Sequence, residues 1–283
     1  MLDSLDENQR CSWMHAALVL SKLIPIGSPS ANNTLRDKLL SAGSMENLYE
    51  QSLGMFPIDD DISNNLDKIY TKGNIAFESI TVNDTRYPDK LRNVNGAPPI
   101  IYCRGDLDLL YVEKSIAFVG TRELFSPEHI AQGESAIKRM INAGFNVIVS
   151  GLASGSDTLG HKTAIHLGGR TIAVLGTPLD TYYPKENKSL QDEIGNKHLL
   201  VSEYPIGIRA YGSFFANRNR TTVGLSSEGV VVARAGDRSG TQHAIKNCIE
   251  QSKQLYVLEN NIYEPSYEWI KKYNAKIKVV KNT

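Results

Sequence analysis

The chain has 283 residues, 41% hydrophobic and 22% charged, close to the average of soluble globular proteins and far from disordered or fibrous chains. Its 31 Lys and Arg balance 31 Asp and Glu, so a globally basic coat for nucleic acid is excluded and any polyanion site must be a local gathering of cations. The length predicts two domains, or one large α/β domain with an appendage.

Cys11, Cys103 and Cys248 lie far apart with no metal-ligand spacing, and are expected to be reduced thiols. The opening MLDSLDENQR is acidic and polar, unlike the basic start of an export signal. The apolar run Ala16 to Leu20 is far short of the roughly 20 residues of a membrane helix. A cytoplasmic protein without membrane, metal or cofactor is the expectation.

Residues 1–73 show helical spacing at Trp13, Ala16, Ala17, Leu20 and Leu23, then at Leu35, Leu39 and Leu40, then at Leu48 and Leu53. Gly27, Pro29, Gly43, Gly54 and Pro57 divide them into short pieces, which predicts a small helical N-terminal domain. Residues 74–110, rich in Pro and Gly, read as a connector with one extended piece, Pro98 to Tyr102. From 111 to 261 the period changes. Six aliphatic runs (Ser115–Val119, Asn146–Val149, Thr171–Leu175, Leu199–Ser202, Gly229–Ala233 and Gln254–Leu258) alternate with helical stretches such as Pro127 to Ala143 and Gly155 to Leu167. Strands apolar on both faces and joined by helices predict an α/β fold: an extended Rossmann-like, doubly wound, mainly parallel sheet. In the tail, 262–283, Ile262, Tyr263, Tyr267, Trp269 and Ile270 either close the core or form a contact between copies of the chain.

Ligands of such sheets bind beyond the carboxyl ends of the strands. There the chain carries Gly120-Thr121-Arg122, Ser150-Gly151 leading to Gly155, and Arg238-Ser239-Gly240-Thr241. Glycines admit close backbone approach, and helix starts favour anions, so these loops are candidate phosphate cradles in which Gly120 and Thr121 offer N–H and hydroxyl donors. Lys185 and Lys188 stand at a helix start, where positive charge opposes the dipole and hints at an anionic partner. The segment Tyr204 to Arg220 holds Arg209, Arg218 and Arg220 without an acid, interleaved with Tyr204, Tyr211, Phe214 and Phe215. That composition suits stacking of unpaired bases beside phosphates, and equally a core with capping arginines. Asp157 and His161, four apart, suggest a hydrogen bond along one helix face. No Walker loop, G-x-G-x-x-G turn, nucleophile elbow or catalytic dyad is present in the sequence, so no enzyme is expected.

The succession Val119-Gly-Thr-Arg122, Ser150 to Asp157 with His161, Ala173 to Gly176, Tyr183-Pro184 with Asn187, Ser202-Glu-Tyr-Pro205, Arg218-Asn-Arg220 with Gly224-Leu-Ser226, and Ser239-Gly-Thr241 resembles the DNA-processing protein A (DprA/Smf) family. Tyr87-Pro88 to Leu91, Pro99 and Tyr102 to Gly105 extend the likeness upstream, so that it covers about Tyr87 to Leu258. The resemblance implies a single-stranded DNA-binding protein with a helical N-terminal domain, acting as a homodimer. It further implies protection of incoming strands and loading of the RecA recombinase on them in natural transformation. By position, Arg122 matches the family's DNA-contacting arginine, Lys185 and Lys188 its basic region, and Arg218 and Arg220 its Arg-Asn-Arg motif. The chain departs from the family at Ala233-Arg234-Ala235, at Leu258-Glu259-Asn260 and at Ser156. About 22 residues follow position 261, too few for the winged-helix domain of some relatives. A more distant likeness to Lonely Guy-type phosphoribohydrolases is partial, because Ala244 stands where their catalytic glutamate would be. A nucleotide-sensing module is a third alternative.

Overall fold

The computed structural model describes residues 2–73, 75–124, 126–264 and 266–281; the expected boundary at Asn74 lies outside them. Helices α1 (Glu7–Leu20), α2 (Pro29–Ala42), α3 (Met45–Leu53) and α4 (Asp60–Lys72) come first. Local chemistry sets their ends. Asp6 and Gln9 form a reciprocal capping box, Ser28 and Ser44 accept from the backbone three residues on, and Gly43 stops α2 in the left-handed region at φ 81°.

The described residues then form one sheet of nine strands, with helices between them. The strands are β1 (Glu78–Thr81), β2 (Ile100–Gly105), β3 (Ser115–Val119), β4 (Val147–Ser150), β5 (Arg170–Leu175), β6 (Leu199–Ser202), β7 (Gly229–Val232), β8 (Gln254–Leu258) and β9 (Ile277–Val280). The remaining helices are α5 (Asp89–Arg92), α6 (Pro127–Asn142), α7 (Ser156–His166), α8 (Lys188–Lys197), α9 (Gly212–Asn217), α10 (Asn219–Leu225), α11 (Thr241–Glu250), α12 (Glu259–Ile262) and α13 (Glu268–Tyr273). The spatial order is β1-β2-β6-β5-β4-β3-β7-β8-β9, and only the β1/β2 and β2/β6 pairings are antiparallel. All six strands expected from the aliphatic runs are present. Along β3, Ile116 and Phe118 pack into one apolar cluster with Ile137 and Met140 of α6, while Ala117 and Val119 pack into another with Val223 of α10 and Ile245 of α11. A strand that buries both faces must be apolar throughout, which is why these runs lack alternation.

The sheet extends past residues 111–261 at both ends. The expected connector supplies β1 and β2, and the tail supplies β9, paired in parallel with β8 from Leu255↔Ile277 to Leu258↔Val280. The start of β2 falls on the expected extended piece, Pro98 to Tyr102, whereas the four-residue β1 and β9 carry little side-chain pattern, because backbone bonds to a neighbour define them. The tail also closes the core: Trp269 is 3% exposed and its Nε1 donates to the Ala235 carbonyl at 2.6 Å, whereas Tyr263 points outward. Among the described residues no helix is long and apolar enough to cross a membrane.

Chain order fixes where a crevice opens. From β3 the chain moves outward through β4, β5 and β6, then returns past β3 to β7 and on to β8 and β9. The loops after β3 and β7 therefore diverge to opposite faces, leaving a gap at the carboxyl ends of these two neighbours.

Two histidines are enclosed in this framework. His15 on α1 shares a 2.7 Å hydrogen bond with the Tyr102 hydroxyl, and His161 on α7 one of 2.6 Å with Thr171. Burial pushes both down to about 3, so each is neutral in the folded state while an unfolded histidine takes up a proton below about pH 6.5. Because the unfolded state then binds more protons, stability falls as pH drops from about 6.5 toward 3. For the pair the slope near pH 5 is about 2.7 kcal/mol per pH unit. Urea unfolding at a series of pH values should show it, and His161→Gln should remove about half.

Candidate nucleic-acid interface

A cleft of about 530 Å3 occupies the gap between the ends of β3 and β7. Gly120, Thr121 and Arg122 line it from the first loop, Arg238, Ser239, Gly240 and Thr241 from the second, and Phe215 and Arg218 from above β5. A second cleft of about 410 Å3 adjoins it, lined by Ala153, Ser154, Tyr183 and Lys185 among others. Arg122 and Ala153 belong to both.

The turn that carries Arg122 is built from the loop after β4. The Ser156 N–H and hydroxyl both donate to the Thr121 carbonyl at 3.0 Å. Gly155, at φ 72°, passes so close that a Cβ would lie 2.4 Å from the Arg122 carbonyl oxygen, a place only glycine can occupy. The Arg122 side chain itself is exposed and makes no hydrogen bond or ion pair among the described residues; its guanidinium lies 6.0 Å over the Phe215 ring. Arg238 and Lys185 are likewise exposed and free of ion pairs among the described residues. These three cations are held in place by backbone, with their charge left available.

Several candidates have other employment. The Ser150 hydroxyl is buried and donates to the Phe118 carbonyl at 2.6 Å, so it faces no ligand. Gly151 lies beneath the Arg218 guanidinium, whose Nη1 would be 1.2 Å from a Cβ there; its glycine makes room for that side chain. The Thr121 N–H is taken by the Arg234 carbonyl at 2.8 Å, which leaves its hydroxyl as the donor. In the loop before α11, Ser239 Oγ bonds Thr241 Oγ1 and accepts from the Thr241 N–H, so hydroxyls expected to cradle phosphate cap the turn, and Arg238 carries the free charge. Lys188 lines neither cleft and sits 3.3 Å from Asp192 and 4.4 Å over the Tyr182 ring.

Arg218 is the largest correction. Its side chain is 5% exposed, donating through Nη1 to the Val174 carbonyl at 2.9 Å and through Nη2 to Asp157 at 3.3 Å. Burial lowers its pKa, opposed by the Asp157 carboxylate. Arg220, two residues on and so on the opposite side of the helix, donates to the Asn95 carbonyl at 2.6 Å and lies near Glu250, outside both clefts. Asp157 and His161 do not bond each other: Asp157 faces Arg218, and His161 faces Thr171. Of the aromatics, Tyr204 and Phe214 stack in the core at 3.9 Å, while Phe215 and the exposed Tyr183 reach the clefts. Tyr183 was singled out only by the family likeness, because the turn after β5 is what brings it beside Arg122. His243, two residues past Thr241, also lines the first cleft and carried no signal beyond that proximity.

Fold and cleft together define a doubly wound α/β protein with an open cleft at its switch point, lined by Arg122, Arg238 and Phe215 and also by Glu123. The model of the family described as DNA recombination-mediator protein A matches residues 78–280, and the chain belongs to that family. It is 40% identical to DNA processing protein DprA of Streptococcus pneumoniae over 211 residues, 74% of this chain and 70% of that one. With DNA processing protein DprA of Bacillus subtilis it shares 32% over 194 residues, 67% of this chain and 63% of that one. The fold matches the X-ray structure of the Streptococcus pneumoniae protein with a TM-score of 0.68 at 31% identity, covering 96% of this chain and 90% of that one. It matches DNA processing protein A of Helicobacter pylori, a structure described for its unique single-stranded DNA binding mode, with a TM-score of 0.63 at 26% identity, covering 72% and 91%.

The two kinds of arginine should separate on denaturation. Arg218→Ala strands the buried Asp157 carboxylate and should cost about 3–5 kcal/mol, whereas Arg122→Ala should stay within about 0.5 kcal/mol of the parent. Guanidinium unfolding midpoints of the two variants decide it.

Proposed function

We propose that this protein binds single-stranded DNA at the paired clefts and delivers it to a RecA-type recombinase, as a homodimer, without chemical turnover of the strand. The observation that carries the binding is the set of exposed cations without ion pairs among the described residues, Arg122, Arg238 and Lys185, arranged around Phe215 and Tyr183. Cations neutralise phosphates and aromatic faces stack bases of any identity, the combination used for sequence-tolerant recognition of single strands. Among the described residues the clefts are lined by loops and helix starts, with no helix projecting as for a major groove, which favours single strands over duplex. Family membership, with relatives named for DNA processing, supports the recombination setting and the recombinase partner.

Fluorescence anisotropy with labelled single-stranded and duplex oligonucleotides of equal length tests the binding. The single strand should bind more tightly, with a log–log salt slope of about −2 for three phosphate contacts. Arg122→Ala should lose about 1.5–3 kcal/mol of affinity, and Arg122→Lys should recover only part of it, because an ammonium keeps the charge without the fork. Equal affinity for duplex, or tight binding of a mononucleotide alone, overturns the proposal in favour of a nucleotide sensor or hydrolase. The recombinase step is checked by RecA filament assembly on strands already coated by a single-strand binding protein, which wild type should accelerate and Arg122→Ala should not.

A further inference from the structure

The two clefts share Arg122 and Ala153, and a ring from each meets the other to form a wall. Its body is the Phe215 ring, 4.8 Å from the Tyr183 ring at an angle of 49°. Phe215 lines the first cleft and Tyr183 the second. The wall is braced on several sides. Phe215 is seated on Gly176, where a Cβ would come within 2.5 Å of the ring, and the Arg122 guanidinium covers it at 6.0 Å. The exposed cations follow the same division, with Arg238 in the first cleft, Lys185 in the second, and Arg122 shared by both.

We propose that the site takes two successive nucleotides with their bases parted, one in each cleft, the Tyr183–Phe215 wall between them and Arg122 on the phosphate that joins them. This rests on the single-stranded DNA reading above and adds the geometry of the bound step. Two bases in contact cannot straddle a pair of aromatic rings, so each base gives up its neighbour and gains a side-chain face. Arg238 and Lys185 then meet the flanking phosphates, so that three consecutive phosphates each face one cation. Selectivity against duplex follows from the wall itself, since pairing holds neighbouring bases in a stack and the cost of parting them falls mainly on paired strands. A mononucleotide fills one cleft and engages Arg122 without the opposite cation.

A short oligothymidylate with two adjacent 2-aminopurines reads the separation, because stacking quenches the fluorescence of this base and parting restores it. Wild-type protein should raise the emission on binding, while an oligomer with the two probes separated by thymidines should change less. Phe215→Leu keeps apolar volume against Gly176 but removes the ring. It should bind about tenfold more weakly, as for loss of one stacking contact, and should lose most of the rise. Tyr183→Ala, at a side chain 49% exposed, should act in the same direction and serves if Phe215→Leu does not fold. Binding without a rise in emission, or a full rise with both variants, overturns the parted step and leaves single-strand binding standing. Failure of wild type to bind any single strand, measured by anisotropy on the same oligomers, removes both.

Discussion

A buried ion pair organises the candidate site. Arg218 and Asp157 meet beneath the clefts with almost no solvent, and a charge so placed is tolerated only when partners compensate it. The Arg218 guanidinium joins the start of α10 to the end of β5 through the Val174 carbonyl and to α7 through Asp157, and it crosses the backbone at Gly151. The loop after β4 is thereby fixed between β5 and α7. That loop is the support on which the Arg122 turn rests.

From this constraint comes a division of labour among residues of the same type. Arg218 and Arg220 spend their donors on carbonyls and carboxylates of the fold, whereas Arg122 and Arg238 are carried on turns tied by the Thr121 to Arg234 and Ser239 to Gly236 backbone bonds. The glycines divide the same way. Gly151 and Gly176 clear space for side chains, Arg218 and Phe215, while Gly155 gives the chain a conformation and a closeness that a Cβ forbids. A glycine-rich loop is therefore not evidence of a cradle until the atoms facing each glycine are known.

The departures from the family pattern also find a place. Arg234, in the segment Ala233-Arg234-Ala235, sits 2.5 Å from Glu264, bonds His129 and lies 5.8 Å from the Tyr267 ring centre. Asn261 accepts from the Ala235 N–H and donates to the Ala233 carbonyl. These contacts bind the segment after β8 to the end of β7, beside the cleft, and Asp237 accepts from the Glu268 and Trp269 amides at the start of α13. Residues beyond the sixth expected strand are thus part of the support of the site, and β9 extends the sheet outside them.

The amino-acid sequence by itself determined the central strands, the helices between them and the edge of the sheet where the loops gather. Strands buried on both faces announce themselves as unbroken aliphatic runs, and helices by their spacing and caps. It also singled out Arg122 and Arg238, each two residues from a turn glycine in a loop that follows a strand. Only the tertiary structure decided which cations stay free. Arg122 and Arg218 look alike in the chain, yet one faces solvent over Phe215 and the other is packed on Gly151, because Val174 and Asp157, 44 and 61 residues distant, converge on it. The four-residue strands β1 and β9 were equally illegible, and of β2 only the stretch up to Tyr102 showed as extended, since their pairing is a property of backbone neighbours brought together by the fold and not of the side chains along them.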